Sequence, residues 1–292
     1  MPGGVSPEIG SPPDPREGAR PITVPGDGIR FAGLRWGPTG VGPGLGRIVI
    51  LLHGVQSAAV TASRTARALA ADGWNAIALD MPGHGGTIWL DEGEDRERYA
   101  RANVARLVGE AVGRLGAKPV LIGHSWGADI ALAITVSRLP LERVVLIDPP
   151  AMTSGKANEL AATDVAELRP GDLAAALEVV RASGTILDPL DAIAKAEALA
   201  TVPPLAVEAV YGAEGAWQPQ VDARRWRALS DAPPLDLVAA DPDAGGLISS
   251  SAIDELRSIL GDERIHVLSG ASHSPQRTDF GRLWPLLRSI LS

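Results

Sequence analysis

The sequence predicts an α/β fold: a mostly parallel sheet flanked by helices, with a helical segment inserted late in the chain. Three observations carry this. Short continuous apolar runs recur, as in Arg47-Ile48-Val49-Ile50-Leu51-Leu52, Pro119–Ile122 and Arg143–Ile147. Such runs suit strands buried on both faces, as in parallel sheets. Each alternates with a longer helix-prone stretch, the pattern of βαβ units. Between Pro149-Pro150 and about residue 232 the alternation stops, and Ala, Leu and Glu dominate.

Residues 1–21 are rich in Pro and Gly and have little to bury, so a mobile tail is expected there. Ile29–Trp36 reads as a first strand region, and Gly37–Gly46, with Pro38 and Pro43, as a turn-rich connector. The strand Arg47–Leu52 follows. Ala58–Ala71 is an Ala-rich helix ended by Asp72-Gly73. Asn75–Leu79 is a short strand, Glu94–Leu115 a long helix, Pro119–Ile122 a strand and Ser125–Arg138 a helix. Arg143–Ile147 is another strand, the one after which the cap is inserted. After it, residues 151–232 read as a helical cap broken by Pro170, Pro189 and Pro203-Pro204. Alternation resumes with Leu235–Ala239, Ser251–Leu260, Ile265–Leu268 and Asp279–Leu291. The expected organisation is a tail (1–21), a core (22–150 and 233–292) and a cap (151–232).

Composition narrows the function. The chain has 292 residues, 27 Lys and Arg against 35 Asp and Glu, and no cysteine. A formal charge of −8 argues against nucleic acid, which needs a basic face, and against a polybasic membrane anchor. Without Cys there is no disulfide, thiolate nucleophile or Cys-ligated metal. No apolar run reaches the length of a membrane span, and no signal peptide is readable at the N-terminus. A cytoplasmic protein is expected, acting on a small molecule.

The chemistry centres on Gly123-His124-Ser125-Trp126-Gly127. The motif follows an apolar strand and opens a helix, the setting of a nucleophile elbow. Ser125 would sit on a strained strand-to-helix turn, with glycines where Cβ atoms would clash. The following helix N-terminus favours developing negative charge. An activated Ser needs a base. Of five histidines, His53 and His84 lie in Gly-containing turns, His124 inside the elbow and His266 within a strand. His273 lies in the small-residue loop Gly270-Ala271-Ser272-His273-Ser274.

In these residues the chain resembles the α/β-hydrolase fold family, from about Ile22 to the C-terminus. The elbow is joined by Leu51-Leu52-His53-Gly54-Val55-Gln56, Asp80-Met81-Pro82-Gly83-His84-Gly85 and the His273 loop, in the family's order. The resemblance implies a serine hydrolase, esterase- or lactonase-like, with Ser125 as nucleophile and His273 as general base, since the family's order is Ser, acid, His. The acid is expected at Asp241, closest to the end of its strand and similar to family members with an Asp-Pro-x-x-Gly-Gly loop. Counting a more usual loop length favours Asp243, and some members supply the acid at the position of Asp148. The amides of Trp126 and Val55 are the implied oxyanion hole. Gln56, His124 and Trp217 are placed as substrate-contacting candidates; Gln56 equally suits a helix cap, and His124 a supporting role within the elbow. Trp89, Trp126, Trp217 and Trp226 near the cap suggest an apolar acyl or ring-bearing substrate, or simply hold the cap down. The reading is cleavage of an ester, thioester or lactone of a small, largely apolar molecule. Non-hydrolytic chemistry on the same fold (carbon–carbon cleavage, acyl transfer or cyclisation) and a non-catalytic ligand binder are the alternatives. The histidines are dispersed and no His-x-x-x-His pair occurs, so neither metal nor cofactor is expected.

Overall fold

A computed structural model describes residues 14–38, 46–89, 96–116, 118–151, 154–186, 188–212 and 233–292. The strands are β1 (Arg20–Pro25), β2 (Arg30–Trp36), β3 (Ile48–Leu52), β4 (Asn75–Leu79), β5 (Val120–His124), β6 (Arg143–Ile147), β7 (Leu235–Ala240) and β8 (Ile265–Leu268). They form one eight-stranded sheet in the order β1-β2-β4-β3-β5-β6-β7-β8. From β4 through β8 every pairing is parallel. The pairings of β1 with β2 and of β2 with β4 are antiparallel.

The apolar runs become strands because both of their faces are covered. Along β3, Ile50 and Leu52 enter one core cluster and Val49 and Leu51 the other. In β6, Val144 and Leu146 alternate in the same way with Val145 and Ile147. The first cluster is closed by helices α2 (Arg101–Leu115) and α3 (Trp126–Val136), the second by α1 (Ser63–Ala71) and the C-terminal helix (Phe280–Leu291). No helix among the described residues is long and apolar enough to cross a membrane.

Among the described residues, four helices lie between β6 and β7 in the chain: α4 (Ser154–Glu167), α5 (Leu173–Ser183), α6 (Pro189–Thr201) and α7 (Pro204–Gly212). The prolines that break the helical pattern set their starts. Pro189 occupies the first turn of α6 behind Asp188, whose carboxylate accepts the amides of Leu190 and Asp191. These helices have a core of their own around Leu168, Val180, Leu199 and Val207.

The N-terminal segment departs from the expected tail. Arg20 opens β1, which pairs along its whole length with β2. Ahead of it, the Glu17 carbonyl accepts the Trp36 indole N–H, and Arg16 pairs with Glu197 of α6. The pairing partner, rather than any apolar run in Arg-Pro-Ile-Thr-Val-Pro, makes this segment a strand. Residues 1–13 lie outside the described residues, as do 213–232 with Trp217 and Trp226.

Candidate active site

The site is assembled at the carboxyl ends of β3, β5 and β6 and in the loop after β8. Ser125 follows β5 with φ +53° and ψ −123°, a backbone conformation that side-chain-bearing residues rarely adopt. The flanking glycines make that turn possible. A Cβ on Gly123 would stand 2.3 Å from the Gly127 carbonyl oxygen, and one on Gly127 would stand 2.3 Å from the Leu52 carbonyl oxygen. In both cases the obstacle is backbone and cannot swing aside. Gly127→Ala is therefore expected to cost about 3 kcal/mol or more, measured as a shift in the urea midpoint; an unchanged midpoint would refute this account of the elbow.

Gly54 lies against the elbow. A Cβ there would sit 3.0 Å from the Ser125 Cβ and 3.4 Å from its Oγ. The His53-Gly54-Val55 turn thus passes beside the serine. Trp126 opens α3, where first-turn amides have no partner within the helix. Its indole is buried in the core, 5.3 Å from the His84 ring, and so serves packing.

His273 is brought to Asp148. Its Nδ1–H donates to Asp148 Oδ2 at 2.6 Å. Asp148 is fully buried, with φ +42°, directly after β6. Its Oδ1 accepts the Ala240 amide and its Oδ2 also accepts the Leu247 amide. Three donors therefore fix the carboxylate, and it in turn fixes the imidazole. Because Nδ1 carries the proton, Nε2 is left as the basic nitrogen.

The position expected for the acid, Asp241, is engaged elsewhere. Its Oδ1 accepts the Asp243 amide at 2.9 Å and its Oδ2 the Gly270 amide at 2.6 Å. These amides, Gly270 first, hold its carboxyl below the usual carboxylate range. Asp241 caps the turn Pro242–Ala244 and ties it to the loop ahead of His273. Asp243 contributes its amide to that turn and is exposed. Of the three carboxylates weighed from sequence, Asp148 is the one in contact with the imidazole.

Two other candidates make bonds within the protein. His124 Nε2–H donates to the His273 carbonyl at 2.9 Å, and the two rings lie 4.8 Å apart. His124 thus braces the His273 loop against the elbow. Burial, followed by the nearby His273, holds it well below the ordinary histidine range. Gln56, at φ +56°, bridges core and inserted helices. Its Nε2 donates to the Asp164 carbonyl and to Glu167, both on α4, while its Oε1 and backbone carbonyl accept Lys195 Nζ from α6 at 3.0 and 2.9 Å. Trp217 lies outside the described residues.

His53 and His84 are neutral supports. His53 Nδ1–H donates to the Gly54 carbonyl and its Nε2 accepts the Met81 amide, which uses both nitrogens of a neutral ring. Burial pushes His53 down to about 3 and His84 to about 4. His266 faces Asp236 across β7 and β8, far along the chain's sheet from the elbow.

Lys195 was not singled out by the sequence, where it is one Lys in an Ala-rich helix. It is buried beside Gln56, and burial chiefly, with Arg277 next, pushes its ammonium down to about 7. Together with Arg277 and His273 it lines a cleft of about 350 Å³ between α5, α6 and the His273 loop.

Comparison with known proteins agrees with this architecture. The model of the alpha/beta hydrolase family matches residues 49–282. No curated protein matches by sequence. Among solved structures, E-2-(acetamidomethylene)succinate hydrolase is similar with a TM-score of 0.75 at 20% identity, over 94% of this chain and 99% of that one. The thioesterase domain from the curacin biosynthetic pathway gives 0.71 at 17%, over 93% and 99%. A carboxylesterase from Bacillus subtilis gives 0.68 at 17%, over 94% and 91%. At these identities the likeness is one of fold.

Proposed function

Since the chain belongs to the alpha/beta hydrolase family, we propose that it is a serine hydrolase in which Ser125, His273 and Asp148 form the catalytic triad. The observation that carries this reading is the 2.6 Å bond from His273 Nδ1–H to the buried Asp148 carboxylate, in a loop braced by His124 against the strained turn that presents Ser125. His273 Nε2 takes the Ser125 hydroxyl proton as Oγ bonds to the substrate carbonyl carbon. The carbonyl oxygen becomes an oxyanion, for which the amides of Trp126 and Val55 are the donors. On collapse the acyl–heteroatom bond breaks, and the leaving group departs with the proton from His273. Water then attacks the acyl-enzyme, giving up its proton to His273, and Ser125 recovers its own as the acid leaves. The imidazolium formed in each half is stabilised by Asp148, which stays ionised. Ester, thioester and lactone carbonyls all satisfy this scheme. The helices from 154 to 212 act as the cap over the site.

Treatment with a small neutral fluorophosphonate, followed by intact-mass analysis, tests the reading. One adduct per chain is expected, lost in Ser125→Ala. The chain has no Cys, the commonest competing nucleophile. A folded protein that takes no adduct, or an adduct that survives in Ser125→Ala, overturns the proposal.

A further inference from the structure

Two cations face the cleft beside His273 with no carboxylate at ion-pair distance among the described residues. Arg277 stands four residues after His273, in the short helix Pro275–Thr278. Its one side-chain hydrogen bond among the described residues is from Nη2–H to Ser274 Oγ, at 2.7 Å. Its Nε–H is sealed from solvent with no partner, a costly state for a guanidinium. Lys195 Nζ spends its bonds on Gln56, whose oxygens are neutral. No carboxylate lies within ion-pair distance of either group among the described residues. Asp191, the acid nearest Arg277 in electrostatic effect, is instead paired with Arg64 at 2.9 Å. Glu167 lines the same cleft, and its Oε2 accepts Gln56 Nε2–H. Tyr211 donates to Asp164.

Arg277 also connects the cleft to the elbow. It lines a second, small cavity of about 40 Å³ together with Gly54 and His124, the two residues that flank Ser125. The cleft that Arg277 lines is lined as well by His273, the proposed base. A guanidinium with no close anion, next to an ammonium, matches the charge and the oxygens of a carboxylate. The cleft volume suits a small molecule.

We propose that the substrate carries a carboxylate remote from its scissile carbonyl, and that Arg277, with Lys195 beside it, is the specificity-determining group that holds it. This rests on the serine hydrolase reading for the chemistry, and replaces the largely apolar substrate expected from the Trp residues by an acid-bearing acyl compound, such as the monoester of a dicarboxylic acid. A bound carboxylate supplies the close charge partner that both cations lack among the described residues, and adds to the more distant pull of Asp164 and Glu167 in favouring the protonated form of Lys195, which burial opposes.

The test compares kcat/KM for the mono-para-nitrophenyl ester of adipate with that for para-nitrophenyl heptanoate, an uncharged ester in which an ethyl group stands in place of the carboxylate. The wild-type protein is expected to prefer the acid by at least about tenfold. In Arg277→Gln this ratio is expected to fall by about tenfold, with Arg277→Lys between the two. The ratio is insensitive to a general loss of activity. A wild-type protein that turns over the heptanoate as well as the adipate ester overturns the proposal and leaves the hydrolase reading standing, as does a ratio that Arg277→Gln leaves unchanged. If neither ester is turned over, calorimetric titration of the wild-type protein with adipate decides separately. Binding that is lost in Arg277→Gln supports the carboxylate site while the hydrolase reading falls. No binding, or inorganic phosphate bound in preference to adipate, overturns it.

Discussion

Ser125→Ala is expected to lower kcat by about 10⁶-fold while leaving the fold intact. The loss is large because in the mechanism proposed Oγ is the atom that forms the acyl-enzyme, and no other nucleophile of the chain takes its place: cysteine is absent, and His273 Nε2 would have to attack without the geometry of the elbow. The fold survives because alanine keeps the Cβ that the turn already accommodates at φ +53°, and the serine hydroxyl makes no helix-capping bond. The measurement is turnover of an aryl ester alongside thermal unfolding. Activity within about tenfold of wild type, with unfolding unchanged, would mean that the substrate is activated without a covalent intermediate on this residue.

The second large effect is expected at Asp148. Asp148→Asn should lower kcat by about 10⁴-fold. The carboxamide presents an NH₂ where the imidazole Nδ1–H now donates, or surrenders one of the two amide bonds from Ala240 and Leu247. In the first arrangement the ring is driven toward the other tautomer, which puts a proton on the nitrogen that must accept one from Ser125; in the second a neutral oxygen faces the imidazolium in place of a charge. Asp241→Asn removes one charged acceptor from the turn before Gly270. Its kcat should stay close to wild type, because neither Asp241 oxygen touches His273. Comparing the two variants by pre-steady-state acylation is decisive. A crippled Asp241→Asn with an active Asp148→Asn would return the acid to the later loop and require that loop to rearrange on binding.

The parallel-sheet strands that hold the site could be read from the chain because a strand buried on both faces has no polar side to show. Ile48–Leu52, Val120–His124 and Arg143–Ile147 are apolar enough to be placed almost residue by residue. β1 was opaque for the opposite reason: it is a half-exposed antiparallel edge strand with proline near both ends, and its structure comes from β2. The elbow was readable since its constraint is local. Gly123 and Gly127 are dictated by contacts within the turn and with the neighbouring β3 end, so spacing alone signals them.

The acid was of a different kind. Asp148-Pro149 and Asp241-Pro242 are each an aspartate after an apolar strand and before a proline, and nothing local separates them. The choice falls to the sheet order, which sets β6 directly beside the serine's strand with β7 one place further out, and to the Gly270 amide that draws Asp241 away. Gln56 and Lys195, 139 residues apart, meet through the docking of α6 on the core, and Arg277 faces the same cleft from the far end of the chain. Local sequence determines a strand, a strained turn and an available histidine, because those depend on neighbours along the chain. Which carboxylate orients the histidine, and which cations are left buried and unpaired, depends on groups that only tertiary packing brings within hydrogen-bonding distance.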